Sequence, residues 1–294
     1  MRYTPLLSLL AAASVTYIVT AFMGYLIFRK VYVFVPLVIA WITTQVPGLY
    51  APYLPRANYK GKKVFVTGTT SGIGSSFSQI LTEGGAEVIG ASRSIASGIK
   101  VDLSMDTDVN VFVNECNLQK PDLIVLNAGV GGFGLDSADD NIHLLHLNTD
   151  ANVRIIKSLR YQPDIIIISS IAADVPMPNM ETYCASKAAM SLFFATMSQN
   201  WAGNILLVCP GPVETKFYDN ELMQKNTVSF ARTTFTQRPQ AIAELGLRSI
   251  GVFSEVYSGL SANMMKLCSI ILPRPILTVS SQLVYKVLSI INGK

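Results

Sequence analysis

Charged side chains are scarce. They make up 14% of the 294 residues, and 23 Lys and Arg against 19 Asp and Glu leave a net charge of only +4. No dense Lys/Arg stripe occurs, so the electrostatic footprint of a nucleic-acid partner is missing. The four cysteines, Cys116, Cys184, Cys209 and Cys268, have no CxxC spacing. With no His cluster beside them, neither a zinc site nor a disulfide framework is expected. Scattered thiols of this kind fit a reduced, cytosol-facing domain. Only two histidines are present, His143 and His146. They lie three apart on a predicted helix with no Cys or carboxylate cluster in register. They read as surface or packing residues, and no metal is expected. Asn-x-Ser/Thr sequons, internal repeats and low-complexity tracts are all absent.

What the chain does have is apolar sequence, 50% of its residues, concentrated at the two ends. Leu6 to Phe28 is a run of 23 residues without a charge. As a helix it would span a hydrocarbon core of ~30 Å. It is longer than the core of a signal peptide, and Ala11, Ala12 and Ala13 come too early for a cleavage site. A retained N-terminal transmembrane anchor is therefore expected. Arg29 and Lys30 close the run, and Val31 to Val46 is apolar again. Arg56, Lys60, Lys62 and Lys63 follow, so if only the first run crosses, the positive-inside rule places the following domain on the cytosolic face, with the endoplasmic reticulum as the expected membrane; a second run that lies in the interface or returns as a hairpin is the alternative. At the other end, Ile276 to Ile291 carries one internal charge, Lys286. Pro273 and Pro275 separate it from what precedes. This apolar C-terminal extension fits a membrane-dipping segment, a helix over a substrate site, or a dimer partner. The expected organisation is an anchor and linker over 1–55, a catalytic domain over 60–260 and an apolar segment over 261–294.

Between the ends, short β-branched runs alternate with helical stretches. Strands are predicted at Lys63–Thr67, Glu87–Gly90, Asp122–Leu126, Asp164–Ser169 and Asn204–Cys209. Runs without polar alternation are buried on both faces, which implies a parallel sheet with helices on each side. The fold class is α/β, a Rossmann-like doubly wound sheet.

The first strand leads into Thr67-Gly68-Thr69-Thr70-Ser71-Gly72-Ile73-Gly74 and then a helix. Gly68 permits the tight turn, Gly72 lets backbone approach a pyrophosphate, and Gly74 lets the helix pack close to the sheet. A helix N-terminus at this point favours phosphate. Further marks follow in order: Asn127-Ala128-Gly129 at a strand end, Asn148 on the next helix, and Ser170 after the Ile-rich strand. Tyr183-Cys184-Ala185-Ser186-Lys187 comes next, then Pro210-Gly211-Pro212-Val213-Glu214-Thr215. Over about residues 60–220 the chain resembles the short-chain dehydrogenase/reductase family. Its organisation is similar to membrane-anchored members of the dehydrogenase/reductase member 7 type and to hydroxysteroid dehydrogenases.

Cofactor choice is read at the end of the second strand, where an acidic residue would bind the ribose hydroxyls of NAD. Here the sequence is Gly90-Ala91-Ser92-Arg93-Ser94. Arg93 can grip a 2′-phosphate in a bidentate pair, and Ser92 can add a hydrogen bond. NADPH/NADP+ is expected rather than NAD(H). The resemblance places Asp102 near the adenine amine with Leu103 beside it, Thr70, Ser71 and Ile73 in the phosphate loop, and Val213 and Thr215 against the carboxamide or phosphates. One departure stands out: only eight residues separate Arg93 from Asp102, where most relatives fit a helix.

Tyr183 and Lys187 are four apart and share a helix face. A phenol with a pKa of about 10 is a poor base near neutrality, and a neighbouring ammonium favours its phenolate. Ser170 precedes Tyr183 by the spacing usual in the family, and Ser169 is its alternative. The resemblance implies a tetrad: Tyr183 as acid/base, Lys187 tuning it and holding the nicotinamide ribose, Ser170 orienting the substrate oxygen, and Asn148 anchoring a proton relay. It also implies a substrate lid over about 216–260, containing Phe217, Tyr218, Leu222, Met223, Phe230 and Phe235. Pairing into a homodimer through the helices of Asn148 and Tyr183 is a further expectation.

The function implied is an NADPH-dependent oxidoreductase interconverting a carbonyl and an alcohol. A lipophilic substrate of steroid, retinoid or fatty-acyl type is expected chiefly from the membrane anchor. The alternative is a non-catalytic NADP(H)-binding sensor or membrane scaffold; retention of Tyr183, Lys187 and Ser170 argues for catalysis.

Overall fold

The computed structural model of the chain describes residues 18–22, 45–215, 217, 222 and 236–291. Seven parallel strands form one sheet: β1 (Lys63–Thr67), β2 (Glu87–Ser92), β3 (Ile99–Lys100), β4 (Leu123–Leu126), β5 (Asp164–Ile168), β6 (Ile205–Pro210) and β7 (Glu255–Ser258). Their order across the sheet is β3-β2-β1-β4-β5-β6-β7. The chain therefore reverses its direction of winding between β1 and β4. In doubly wound sheets the crevice beyond the strand ends at such a reversal is where ligands bind.

The unalternating strands build two cores. Val64, Val66, Leu123, Val125, Ile166, Ile168, Leu206 and Val208 face one side. There they meet α1 (Gly72–Glu83) through Phe77 and Leu81, and α6 (Pro239–Ser249) through Ile242 and Leu245. Phe65, Ile124, Leu126, Ile165, Ile167, Ile205 and Leu207 face the other side. They pack on α2 (Asp106–Gln119), α4 (Ala151–Lys157) and α5 (Glu181–Met197). Neighbouring residues of one strand thus serve opposite layers, which is why no polar position interrupts them.

Two features were not predicted, the edge strands and a π-turn; the loss of a helix between β2 and β3 was. Strand β7 extends the sheet at one edge and the two-residue β3 at the other. Between β2 and β3 the chain makes turns and bends with no helix, so the short Arg93–Asp102 interval does omit that element. Finally, α3 (Ala138–Leu145) runs into α4 through a wide π-turn, His146–Asp150.

The membrane expectations are corrected. Of the run Leu6 to Phe28, only residues 18–22 are described, as a short helical stretch; the rest, with Val31–Thr44, lies outside the described residues. Among the described residues no helix is long and apolar enough to cross a membrane. The C-terminal segment divides at Leu272-Pro273 into α7 (Gly259–Ile271) and α8 (Arg274–Ile291). Leu277 of α8 is buried in the main core, and both helices line the cleft beyond the sheet. A helix over the site is the arrangement found. The transmembrane anchor, the endoplasmic-reticulum location, the membrane as partner and the likeness to membrane-anchored members therefore lose their support. The lipophilic substrate, which rested on the anchor, falls with them.

Candidate active site

The cleft has a volume of about 660 Å³ and runs from Arg93 and Asp102 at one end to Val284 and Tyr285 at the other. Its floor is the glycine-rich turn. Gly68 and Gly72 both adopt left-handed φ, +70° and +60°. A Cβ on Gly74 would lie 2.3 Å from the Gly68 carbonyl oxygen and 2.5 Å from Asn127 Nδ2, so only glycine lets α1 come this close to β1. A Cβ on Gly72 would lie 2.9 Å from the Thr215 methyl. The Pro210-Gly211 loop therefore closes directly against the turn, and Val213 holds that loop by a bridge to Gln237.

Several expected cofactor residues are spent on the cleft's own framework. Asn127 donates its amide to the Thr67 and Gly68 carbonyls at 2.9 and 3.2 Å, while the Asn127 and Ala128 N–H groups donate to Thr67 Oγ1. Ser92 is buried, and its hydroxyl accepts from the Thr69 N–H at 3.0 Å. The hydroxyl expected to meet a phosphate thus also ties the turn to β2. Arg93 and Asp102 both line the cleft, close enough for the Arg93 charge to act on the Asp102 carboxyl. Burial raises the Asp102 carboxyl, but hydrogen bonds from Ser104 and the Arg93 and His143 charges outweigh it and hold it below its ordinary range. Leu103, Thr70, Ser71, Ile73, Gly129, Pro210, Gly211 and Thr215 also line the cleft.

Deeper in, Tyr183, Lys187 and Ser170 converge. Tyr183 and Lys187 are both 7% exposed, one turn apart on α5, with Lys187 Nζ 5.7 Å from the centre of the Tyr183 ring. The ring is packed at 5.7 Å from that of Phe217. Lys187 donates to the Ile168 carbonyl at 3.1 Å, and burial pulls its ammonium down to about 8. Ser170 begins the short turn Ile171–Ala173 and accepts from the Ala172 N–H at 3.1 Å, which leaves its own proton to donate. Ser169 is otherwise engaged: it is buried, paired with Ser191 at 2.8 Å and turned to the Lys187 carbonyl.

Asn148 is buried in the π-turn and does not line the cleft. Its amide clamps the Val130 backbone, donating at 2.8 Å to the carbonyl and accepting at 2.9 Å from the N–H. Its own carbonyl accepts from Asn152 Nδ2 at 3.0 Å. It nevertheless lies close to Lys187. A Cβ on Gly129 would be 3.0 Å from Asn148 Oδ1 and 3.6 Å from Lys187 Nζ.

Two points were left open by sequence reasoning: which of its expected roles the C-terminal segment takes, and what surrounds His146. The roof is made by Met264, Met265 and Cys268 from α7, by Leu272 at the break after it, and by Leu277, Val284 and Tyr285 from α8. Tyr285 fastens it, accepting a hydrogen bond from Asn179 at 3.2 Å and stacking 6.0 Å from Phe133. Only part of the expected lid at 216–260 belongs to the described residues; there Phe217 lines the cleft and the Leu222 carbonyl accepts from the Phe133 N–H. The second point concerns His146, which has carboxylates in register after all. Its ring nitrogens lie 3.4 Å from Asp106 and 3.0 Å from Asp150, a pair that Arg154 also joins. The Asp150 spacing of four was visible in the sequence. This is an ion-paired surface cluster apart from the cleft.

Comparisons with known proteins agree with this geometry. The family model for short chain dehydrogenase matches residues 62–226. A dehydrogenase/reductase SDR family protein 7-like protein of Dictyostelium discoideum is 28% identical over 200 residues, 56% of this chain and 63% of its own length. Retinol dehydrogenase 8 of Bos taurus is 32% identical over 162 residues, half of each chain. The chain thus spans less than two thirds of these relatives. Among solved structures, a short chain dehydrogenase from Burkholderia cenocepacia in complex with NADP superposes with a TM-score of 0.62 at 20% identity, covering 79% of this chain and 99% of that one. A 3-ketoacyl-(acyl-carrier-protein) reductase from Brucella melitensis complexed with NADH gives 0.58 at 20% identity, covering 68% and 97%. With more than half its length matched by the family model, and with a parallel nucleotide-binding sheet around a Tyr-x-x-x-Lys cleft, the chain belongs to the short chain dehydrogenase family and has the architecture of an NAD(P)(H)-dependent oxidoreductase.

Proposed function

We propose that the protein is an oxidoreductase that interconverts a carbonyl and an alcohol with NADP(H) as hydride partner. The observation that carries this reading is the convergence of Tyr183, Lys187 and Ser170 in the cleft that begins at the glycine-rich turn. A dinucleotide fits the residues present. Gly68 and Gly72 shape the turn that lines the cleft through their left-handed φ, and the N-terminus of α1 offers N–H groups to phosphate. When bound, the nicotinamide supplies or accepts the hydride.

The chain's own residues handle the proton and the oxygen. Ser170 donates a hydrogen bond to the substrate oxygen and supports the charge that gathers there. Tyr183 gives its phenolic proton to that oxygen in reduction and takes one from the alcohol in oxidation. The Lys187 ammonium, 5.7 Å from the ring centre, favours the phenolate and eases both transfers. It acts this way only while charged, so the effect fades as pH rises through about 8. Asn148 contributes by holding Val130, and so the loop after Asn127-Ala128-Gly129, in place.

Preference for the 2′-phosphate is assigned to Arg93. It stands exposed at the end of β2, with no acidic side chain between it and Asp102. The test is titration of the protein with NADPH and NADH alongside Arg93→Ala and Tyr183→Phe. NADPH should bind more tightly than NADH, Arg93→Ala should remove the difference, and Tyr183→Phe should keep the binding while losing turnover. Failure of folded protein to bind either dinucleotide refutes the assignment.

A further inference from the structure

Beneath the roof lies a group of ionisable side chains that the chemistry above does not use. Lys266 of α7 places Nζ 2.8 Å from Asp174 Oδ1 and 3.7 Å from Glu255 Oε2. Tyr257 donates its hydroxyl to Asp174 Oδ2 at 2.6 Å, and the same ammonium sits 4.8 Å from the centre of the Tyr257 ring. Cys209 completes the group, with its thiol 3.7 Å from Glu255 Oε1. Lys266 and Asp174 keep only 16% and 23% of their side-chain surface exposed, so solvent screens their pairing little.

The members come from four separate elements. Asp174 ends the short turn that Ser170 begins. Lys266 lies on α7 between Met265 and Cys268, both of which line the cleft. Cys209 and Tyr257 are partners on β6 and β7, the strands under both. The Lys266–Asp174 contact thus spans the cleft's base, from the wall that carries Ser170 to the roof. Apolar residues of like volume would often hold such a place at least as firmly, because a buried ion pair recovers little net stability. What a charged pair adds is direction: an ammonium between two carboxylates and an aromatic face has few ways to sit.

We propose that Lys266 is a positioning residue: paired with Asp174, it sets the spacing between the Ser170 turn and the α7 roof, and so the orientation in which a carbonyl or alcohol meets Ser170 and Tyr183. The inference rests on the oxidoreductase reading for its substrate, but the strut itself can be tested without one.

The full chain is compared with Lys266→Met, Lys266→Arg and Asp174→Asn. Hydrogen exchange is followed over residues 170–175 and 259–271, with α1 as the internal reference. NADPH and NADH binding is titrated, and ethyl acetoacetate, a prochiral ketone, is the reduction probe. Lys266→Met and Asp174→Asn should each speed exchange in both segments and leave α1 and NADPH affinity unchanged. They should lower kcat/KM roughly 10- to 100-fold, as expected for a displaced reacting group. They should also erode the ratio of the two enantiomeric alcohols, a ratio that loss of folded protein does not alter. Lys266→Arg should restore the ratio. Faster exchange confined to one segment, or an unchanged enantiomer ratio with lowered turnover, overturns the proposal. Wild-type protein that binds neither NADPH nor NADH refutes the oxidoreductase reading and the substrate-orienting role with it. Coupled exchange would then still decide whether Lys266 joins the two walls.

Discussion

Replacing Lys187 by methionine should make the protein more stable and inactive at once. The amine is buried, and burial lowers it from 10.5 to about 8. Between those values the unfolded chain holds a proton that the folded chain has released. Stability therefore rises as pH climbs from about 8 to 10.5, and below 8 the whole cost of burying the charge is present. That cost is roughly 3 kcal/mol. Methionine fills a similar space without the charge but leaves the Ile168 carbonyl without its donor, a loss of about 1–2 kcal/mol. The net expectation near neutral pH is a gain of about 1–2 kcal/mol, or a few degrees in Tm. Urea unfolding of cofactor-free protein measures it directly. Repeated near pH 10, the advantage of Lys187→Met should shrink to nothing or reverse, because the wild-type amine is then neutral in the folded state. A variant less stable than wild type near pH 7, or a difference that does not move with pH, would show that the site solvates the ammonium and that the cause assigned to its lowered pKa is wrong.

Two further substitutions probe the framework of the cleft. Asn148→Ala removes both bonds to the Val130 backbone, leaves two polar groups without partners, and should cost about 2–4 kcal/mol in thermal unfolding. Gly74→Ala places a methyl 2.3 Å from the Gly68 carbonyl oxygen, so α1 must back away from β1. NADPH affinity should fall at least about tenfold in fluorescence titration, while helix content by circular dichroism stays near wild type.

The sheet was legible because each central strand feeds two cores, and an uninterrupted run such as the four isoleucines of β5 has no other explanation. Tyr183 and Lys187 were legible because their spacing of four, which puts them on one helix face, occurs in order among the other motifs of the family. The roof was not. Hydropathy adds up residues without regard to direction, and α8 is apolar both where Leu277 enters the core and where Val279 and Leu283 face outward. Read as a sum, the segment resembles a membrane stretch; in three dimensions it covers a cleft. Asp174 passed for an ordinary loop residue because its partners Tyr257 and Lys266 are 83 and 92 positions away. Local sequence could not reveal that Ser92 and Asn127, which line the cleft, are also engaged by Thr69 and Thr67.

The π-turn at His146–Asp150 joins two helical halves. An α-helix advances about 100° per residue. A π-turn closes i→i+5 rather than i→i+4 bonds and so absorbs one surplus residue in a single wider turn; deleting that residue would restore regular winding with Leu144, Ile155 and Ile156 still facing the core. Length is therefore less tightly constrained in this turn than in the regular helices on either side, and a single-residue deletion that spares Asn148 and its hold on Val130 should be better tolerated here than there.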